Sequence, residues 1–276
     1  MTGVLVFLGV AGIGGVAQLV DGSLGMGFGV FSASLMVATG FAPAVAVATV
    51  NAAKIVTGLA SGLSHWGLGN VRRDWLLPLA VSGVAGGFLG GYLLTSISSA
   101  TAKPLVSVLL LVMGLLIVWR ALRWRVPCAV EAQGEKCKQC PRGKWQLLAE
   151  NAKGNSKAKL GALGFVAALI NGLTGAYGPV ATSGVLLLEK GQPRHAIGTV
   201  NMAEFFVAVT VAATILFRMG LGQFPIGLVL ALAIGGIIVA PLAAYVCRGL
   251  SPKALAFMVG SLLIALNVRV VGLLLA

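Results

Sequence analysis

The run Asp21-Gly22-Ser23-Leu24-Gly25 reappears as Asn171-Gly172-Leu173-Thr174-Gly175, 150 residues further along the chain. The same offset carries Pro43 onto Pro193, Ala46 onto Ala196, and Thr49-Val50-Asn51 onto Thr199-Val200-Asn201. One offset serving three separated blocks marks a duplicated chain, and a duplication of this size constrains the fold more than any single segment does. Further on the offset becomes 153, pairing Gly67-Leu68-Gly69 with Gly220-Leu221-Gly222, Tyr92 with Tyr245 and Ser98 with Ser251, which a three-residue insertion explains.

Each copy is a series of apolar segments. Of the 276 residues 58% are hydrophobic and 10% charged, against about 25% charged in soluble domains, so an ordinary soluble domain is excluded. The 39 glycines suit membrane helices, where small residues let backbones approach closely. Ten segments stand out, near 3–20, 26–40, 44–64, 75–95, 102–120, 159–171, 178–188, 195–217, 224–246 and 254–275. They predict an all-α integral membrane protein. The second, sixth and seventh fall short of the ~20 residues that a span needs, so the first two segments of each copy are expected to form a broken, re-entrant hairpin. Five segments per copy is an odd number, and so are the three left once a hairpin is set aside. Either way the two repeats enter the membrane from opposite sides, with inverted topology.

Residues 1–121 form the first transmembrane repeat and 159–276 the second. Between them, 122–158 is polar, strongly charged and rich in Lys, Gly, Asn and Gln, a composition expected of a partly disordered linker. The net charge of +13 would suggest nucleic acid in a soluble protein. Here the basic residues lie between spans, where they favour the cytoplasmic side and anionic membrane lipids. With the linker inside, that side receives Arg72, Arg73, the cluster from Arg120 to Lys159, Lys190, Arg194, Arg248 and Lys253, and the other side only Lys103, Arg218 and Arg269. The expectation is a multi-pass protein of the inner (cytoplasmic) membrane with its N-terminus outside. The stretch Gly3 to Val20 has no positive leader and no small-residue cleavage site after it, so it reads as a retained span.

Inverted repeats with interrupted helices are the architecture in which secondary transporters bind substrate near the midplane. Gly22, Gly25, Gly27 and Gly29 crowd one interruption, and Gly172, Gly175, Gly178 and Pro179 the other, beside polar Asp21, Ser23, Asn171 and Thr174. Such glycines either expose backbone N–H groups to an anion or merely let helices pack. In the third segment Asn51 and Lys54 share one helix face, which continues through Gly58, Ser61, Gly62 and His65; in the eighth, Asn201 and Glu204 do the same. Lys54 and Glu204 are equivalent positions in the two repeats. An ionisable residue at a membrane helix centre costs about 2.5–3.5 kcal/mol, so it should face a partner or a wet cavity. Three readings follow: a Lys54–Glu204 ion pair, a pair that only braces two helices, or Lys54 attracting an anionic substrate while Glu204 exchanges a coupling proton.

His65, Trp66, Arg72 and Arg73 are expected to be interfacial anchors at the cytoplasmic end of the third span. Cys128, Cys137, Cys140 and Cys247 could share one compartment, and four thiolates suffice for zinc. With only one C-x-x-C among them, free thiols in a reducing cytoplasm and no metal are the expectation. No catalytic or nucleotide motif appears in a supporting context, so neither enzyme activity nor a cofactor is expected.

The runs Gln18-Leu19-Val20-Asp21-Gly22-Ser23-Leu24-Gly25-Met26-Gly27-Phe28-Gly29, Gly191-Gln192-Pro193-Arg194-His195-Ala196-Ile197-Gly198-Thr199 and Asn201-Met202-Ala203-Glu204-Phe205-Phe206 resemble the sulfite exporter TauE/SafE family. The resemblance covers essentially the whole chain except the linker. It implies passage of small sulfur-containing anions such as sulfite, sulfoacetate or other sulfonates, driven by an ion gradient. The substrate is then expected between the two hairpins and spans three and eight. Ser23, Asn51, Asn171, Thr174 and Asn201 would replace its water and Lys54 would supply charge, with Gln18, Asp21, Gly22, Gly25, Gly172, Gly175 and Thr199 around it. Tyr177 interrupts a stretch that is more continuously glycine-rich in many relatives, and would narrow or tune the site. Glu204 would couple to H+. An anion channel, and a ligand sensor signalling through the basic linker, are the alternatives; a homodimer is left open.

Overall fold

A computed structural model describes residues 2–123, 156–188, 193–220, 222, 224–246 and 252–275. The described residues are helical, with no strand among them. The first half comprises α1 (Thr2–Leu24), α2 (Phe28–Ala38), α3 (Pro43–Gly67), α4 (Arg73–Ser96) and α5 (Ser99–Arg123). The second comprises α6 (Ser156–Thr174), α7 (Gly178–Leu188), α8 (Pro193–Met219), α9 (Ile226–Val246) and α10 (Pro252–Leu275). Helix for helix, the first five match the second five in order and in the short second member.

Local chemistry sets the main boundaries. Pro43 and Pro193 each open a long helix, where a fixed φ is favourable and the missing N–H costs nothing. That helix has 25 residues in the first half and 27 in the second, so most of the three-residue insertion read from the sequence is extra helix in α8.

Among the described residues six helices (α1, α3, α4, α5, α8 and α9) are long and apolar enough to cross a membrane. By contrast α2 and α7 have 11 residues each, or about 16 Å at 1.5 Å per residue, roughly half of a ~30 Å hydrocarbon core. An interrupted backbone is tolerated at that depth only where protein surrounds it, and eight of the residues of α2 are indeed buried. The sixth segment is longer than its apolar run suggests. Helix α6 begins at Ser156, and its first turn carries exposed Lys157 and Lys159, which end the hydropathy signal early.

The helix contacts are reciprocal between halves. Helix α1 packs on α9 as α6 packs on α4; α3 packs on α9 as α8 packs on α4; α2 meets α10 as α7 meets α5. Two pairs, α3 with α8 and α5 with α10, join equivalent helices to each other. An operation that exchanges the two halves therefore preserves the packing, and α3 and α8 lie at its centre as the most buried of the six long helices. Outward faces are apolar, with Leu77, Val81 and Phe88 on α4 and Ile238 and Leu242 on α9 exposed. A belt of that kind suits lipid and would be a liability in water.

Candidate functional site

Both interruptions are built alike. Helix α1 ends at Leu24 and Gly25 adopts φ 66°; α6 ends at Thr174 and Gly175 adopts φ 79°. This left-handed conformation costs any residue with a Cβ about 1–2 kcal/mol, which is why glycine stands at both equivalent positions. In each case the turning N–H bonds back to the carbonyl four residues earlier, Gly25 to Asp21 at 2.5 Å and Gly175 to Asn171 at 2.7 Å.

At those same positions the halves diverge. The Asp21 carboxylate reaches across its own break and accepts the N–H groups of Gly27 at 2.8 Å and Phe28 at 3.2 Å. It thus caps the start of α2, where the helix dipole is positive. Asn171 instead turns to the centre. Its amide donates to Asn51 Oδ1 at 2.8 Å and its oxygen lies 3.5 Å from Lys54 Nζ.

Lys54 is the focus of the arrangement. Its Nζ lies 2.5 Å from Glu204 Oε1 and donates to the Gly175 carbonyl at 2.8 Å. With Asn171, three oxygens face its three N–H bonds, and all three belong to the second half. Lys54 and Glu204 are each 2% exposed. Two charges so deeply desolvated hold together only because each supplies the other's counter-charge. By comparison, the pair between Arg72 and Asp74 is exposed and of little energetic weight. Gly29 completes the pocket around the ammonium: a Cβ there would run into the Gly175 carbonyl and Lys54 Nζ. Asp21 and Tyr177 lie within electrostatic reach of Glu204.

Several buried polar groups in these helices carry no hydrogen-bond partner among the described residues: Gln18 Nε2 three residues before Asp21, the Tyr177 hydroxyl in the second break, Ser32 Oγ on α2 and Asn201 Oδ1 on α8. Idle buried polar atoms are rare in folded proteins. The Asn51 amide bonds Val47 O at 2.8 Å, and that of Asn201 bonds Ser61 Oγ at 3.1 Å.

Other expected site residues are placed elsewhere. Gly22 abuts Ala243 of α9, and Gly172 abuts Gly90 and Gly91 of α4, so both lie at close helix contacts. The hydroxyls of Ser23 and Thr174 bond carbonyls of their own helices, Leu19 and Ile170. Thr199 accepts the Arg72 N–H at 2.9 Å, near the end of α3. The four cysteines lie outside the described residues. Among the described residues no group of three His, Cys, Asp or Glu could hold a metal.

One expectation fails. His65 is no interfacial anchor, because it is fully buried. Its Nε2 lies 3.1 Å from Gly22 O, and the Asn70 amide reaches its Nδ1 at 3.2 Å. With the Asn70 amide as donor, Nδ1 accepts and Nε2 is left to donate to the Gly22 carbonyl. Trp66 remains partly exposed beneath the Arg73 guanidinium, and Arg72 lies over Trp75, as anchors would. Ser32 and Thr182 lie outside the residues that the sequence singles out. Thr182 of α7 donates to the Gly25 carbonyl at 2.5 Å, a bond between the two hairpins, and the repeat offset could have found it.

The family model "Sulfite exporter TauE/SafE" matches residues 10–270. The "Probable membrane transporter protein YtnM" of Bacillus subtilis (strain 168) is 38% identical over 258 residues, covering 93% of this chain and 80% of that protein. No solved structure matches. This multi-pass, all-helical chain belongs to the sulfite exporter TauE/SafE family of membrane transporters.

Proposed function

We propose that the protein is a secondary transporter of a small sulfur-containing anion, a sulfonate such as sulfoacetate or sulfite itself, working by alternating access. It would sit in the cytoplasmic membrane with its N-terminus outside and the linker inside, its two repeats inverted across the bilayer. The reading rests on one observation: a buried ammonium, Lys54, held where the two broken hairpins meet by oxygens of the other half. The family supplies the sulfur.

Charge balance gives the mechanism. In the resting arrangement Lys54 and Glu204 neutralise each other. A monovalent anion entering beside them adds a charge whose burial costs several kcal/mol. Protonation of Glu204 removes that cost, because Lys54 then pairs with the anion and the site stays neutral. The amides of Asn51, Asn171 and Asn201, the Gln18 amide and the Tyr177 hydroxyl would replace water on the remaining anion oxygens. Rocking of the repeats would carry anion and proton across together, one proton for a monovalent anion such as hydrogensulfite, while a dianion such as sulfoacetate brings one charge more than a single proton cancels.

Purified protein in liposomes, assayed with labelled sulfite, sulfoacetate, taurine and sulfate with and without a pH gradient, tests this. The expected result is flux of at least one sulfur oxyanion, accelerated by the proton gradient. Absence of flux for every member would sink the assignment.

A further inference from the structure

The two hairpins meet at equivalent positions but not in equivalent ways. At one crossing, Gly25 of the first break packs against Thr182 of α7, whose hydroxyl donates to the Gly25 carbonyl at 2.5 Å. The 150-residue offset carries Gly25 onto Gly175 and Ser32 onto Thr182. The matching bond at the other crossing would therefore run from Ser32 Oγ to the Gly175 carbonyl. It is not made. Gly175 packs instead against Gly29 and Ala33, its carbonyl accepts Lys54 Nζ at 2.8 Å, and Ser32 Oγ is buried without a partner. Lys54 has taken the acceptor that the repeat assigns to Ser32.

We propose that Ser32 and Thr182 are positioning residues that alternate in the transport cycle. In the state seen here Thr182 holds the first hairpin and Lys54 holds the second. In the opposite state Ser32 closes on the Gly175 carbonyl, Thr182 lets go of Gly25, and Lys54 is free for the anion. This rests on the transport reading above and extends it. An inverted repeat reaches its other state by exchanging the arrangements of its halves, and with Glu204 protonated the exchange leaves neither buried carbonyl orphaned.

A consequence concerns Glu204, the equivalent of Lys54. In the exchanged arrangement it stands toward the Gly25 carbonyl as Lys54 now stands toward that of Gly175. An ionised carboxylate cannot donate a hydrogen bond, whereas a protonated one can. The proton taken from water at Glu204 thus makes the bond that Thr182 gives up. The ionisable groups facing Glu204 are Lys54 from α3, Asp21 from α1 and Tyr177 from the second break.

Ser32→Ala, Ser32→Thr, Thr182→Val and the double variant Ser32→Ala/Thr182→Val test this by thermal unfolding in detergent and by sulfite and sulfoacetate flux in liposomes. Ser32 has no bond to lose in the resting state, so Ser32→Ala should unfold at the wild-type temperature. Its flux should fall about tenfold or more, the effect of one missing bond to a buried carbonyl, and Ser32→Thr should restore it. Thr182→Val should lower the unfolding temperature, and adding Ser32→Ala to it should lower it further, although Ser32→Ala alone is silent. Wild-type flux in Ser32→Ala, or equal silence of Ser32→Ala in both backgrounds, would overturn the proposal. Absence of flux in the wild type would defeat the transport reading instead, and the unfolding comparison would still decide the alternation.

Discussion

At the residue scale, the energetics of the site turn on Lys54 and Glu204. Both are buried and each is the other's counter-ion, so removing one leaves an uncompensated charge. Lys54→Met or Glu204→Leu should each destabilise by about 3–5 kcal/mol, while the double variant Lys54→Met/Glu204→Leu should recover most of that loss; thermal unfolding of the three in detergent checks it. Glu204→Gln keeps the shape and abolishes titration, so flux in this variant should lose its dependence on pH if the carboxyl is the proton carrier. His65 makes a parallel case. His65→Ala strands Gly22 O and the Asn70 amide, a cost of about 1–3 kcal/mol, with no direct effect on anion selectivity. Of these residues the equivalence of 54 and 204 was readable from the repeat, because an offset conserves position even where charge reverses. His65 lies on the same face as Asn51, Lys54 and Ser61, so its burial was readable as well; its partners, a backbone carbonyl of α1 and a loop amide, were not, because neither leaves a mark in hydropathy.

At the element scale, the hairpins depend on close backbone approach. Gly29→Ala would thrust a methyl at the Gly175 carbonyl and Lys54 Nζ, a clash between fixed elements that should cost about 1–3 kcal/mol and abolish flux. Gly9→Ala on α1 meets nothing within 4 Å and should leave flux at the wild-type level. The repeated glycines made the breaks legible, and the structure divides their duties. Gly25 and Gly175 turn the chain, Gly22 and Gly172 admit neighbouring helices, and Gly29 makes room for the lysine. Spacing alone could not separate these, since all three duties ask for the same missing Cβ. The start of α6 was hidden for a different reason: the exposed lysines of its first turn are helical without being apolar.

At the scale of the whole molecule, the reciprocal packing of α1 on α9 and α6 on α4 is what a duplicated chain folded about a pseudo-two-fold axis should show. The proposed orientation in the bilayer rests on the basic residues alone. A membrane-impermeant maleimide applied to intact cells should therefore leave Cys128, Cys137 and Cys140 unlabelled and should react with them once the membrane is permeabilised. Labelling from outside would reverse the proposed topology.

The buried charges are proposed as the transport site and not as a brace between α3 and α8. Lys54→Met/Glu204→Leu, the variant expected to fold, separates the two when it is reconstituted beside the wild type and assayed for proton-gradient-driven sulfite and sulfoacetate flux. The expected result is a folded protein that moves neither anion while the wild type does. A folded double variant transporting at the wild-type rate would contradict it.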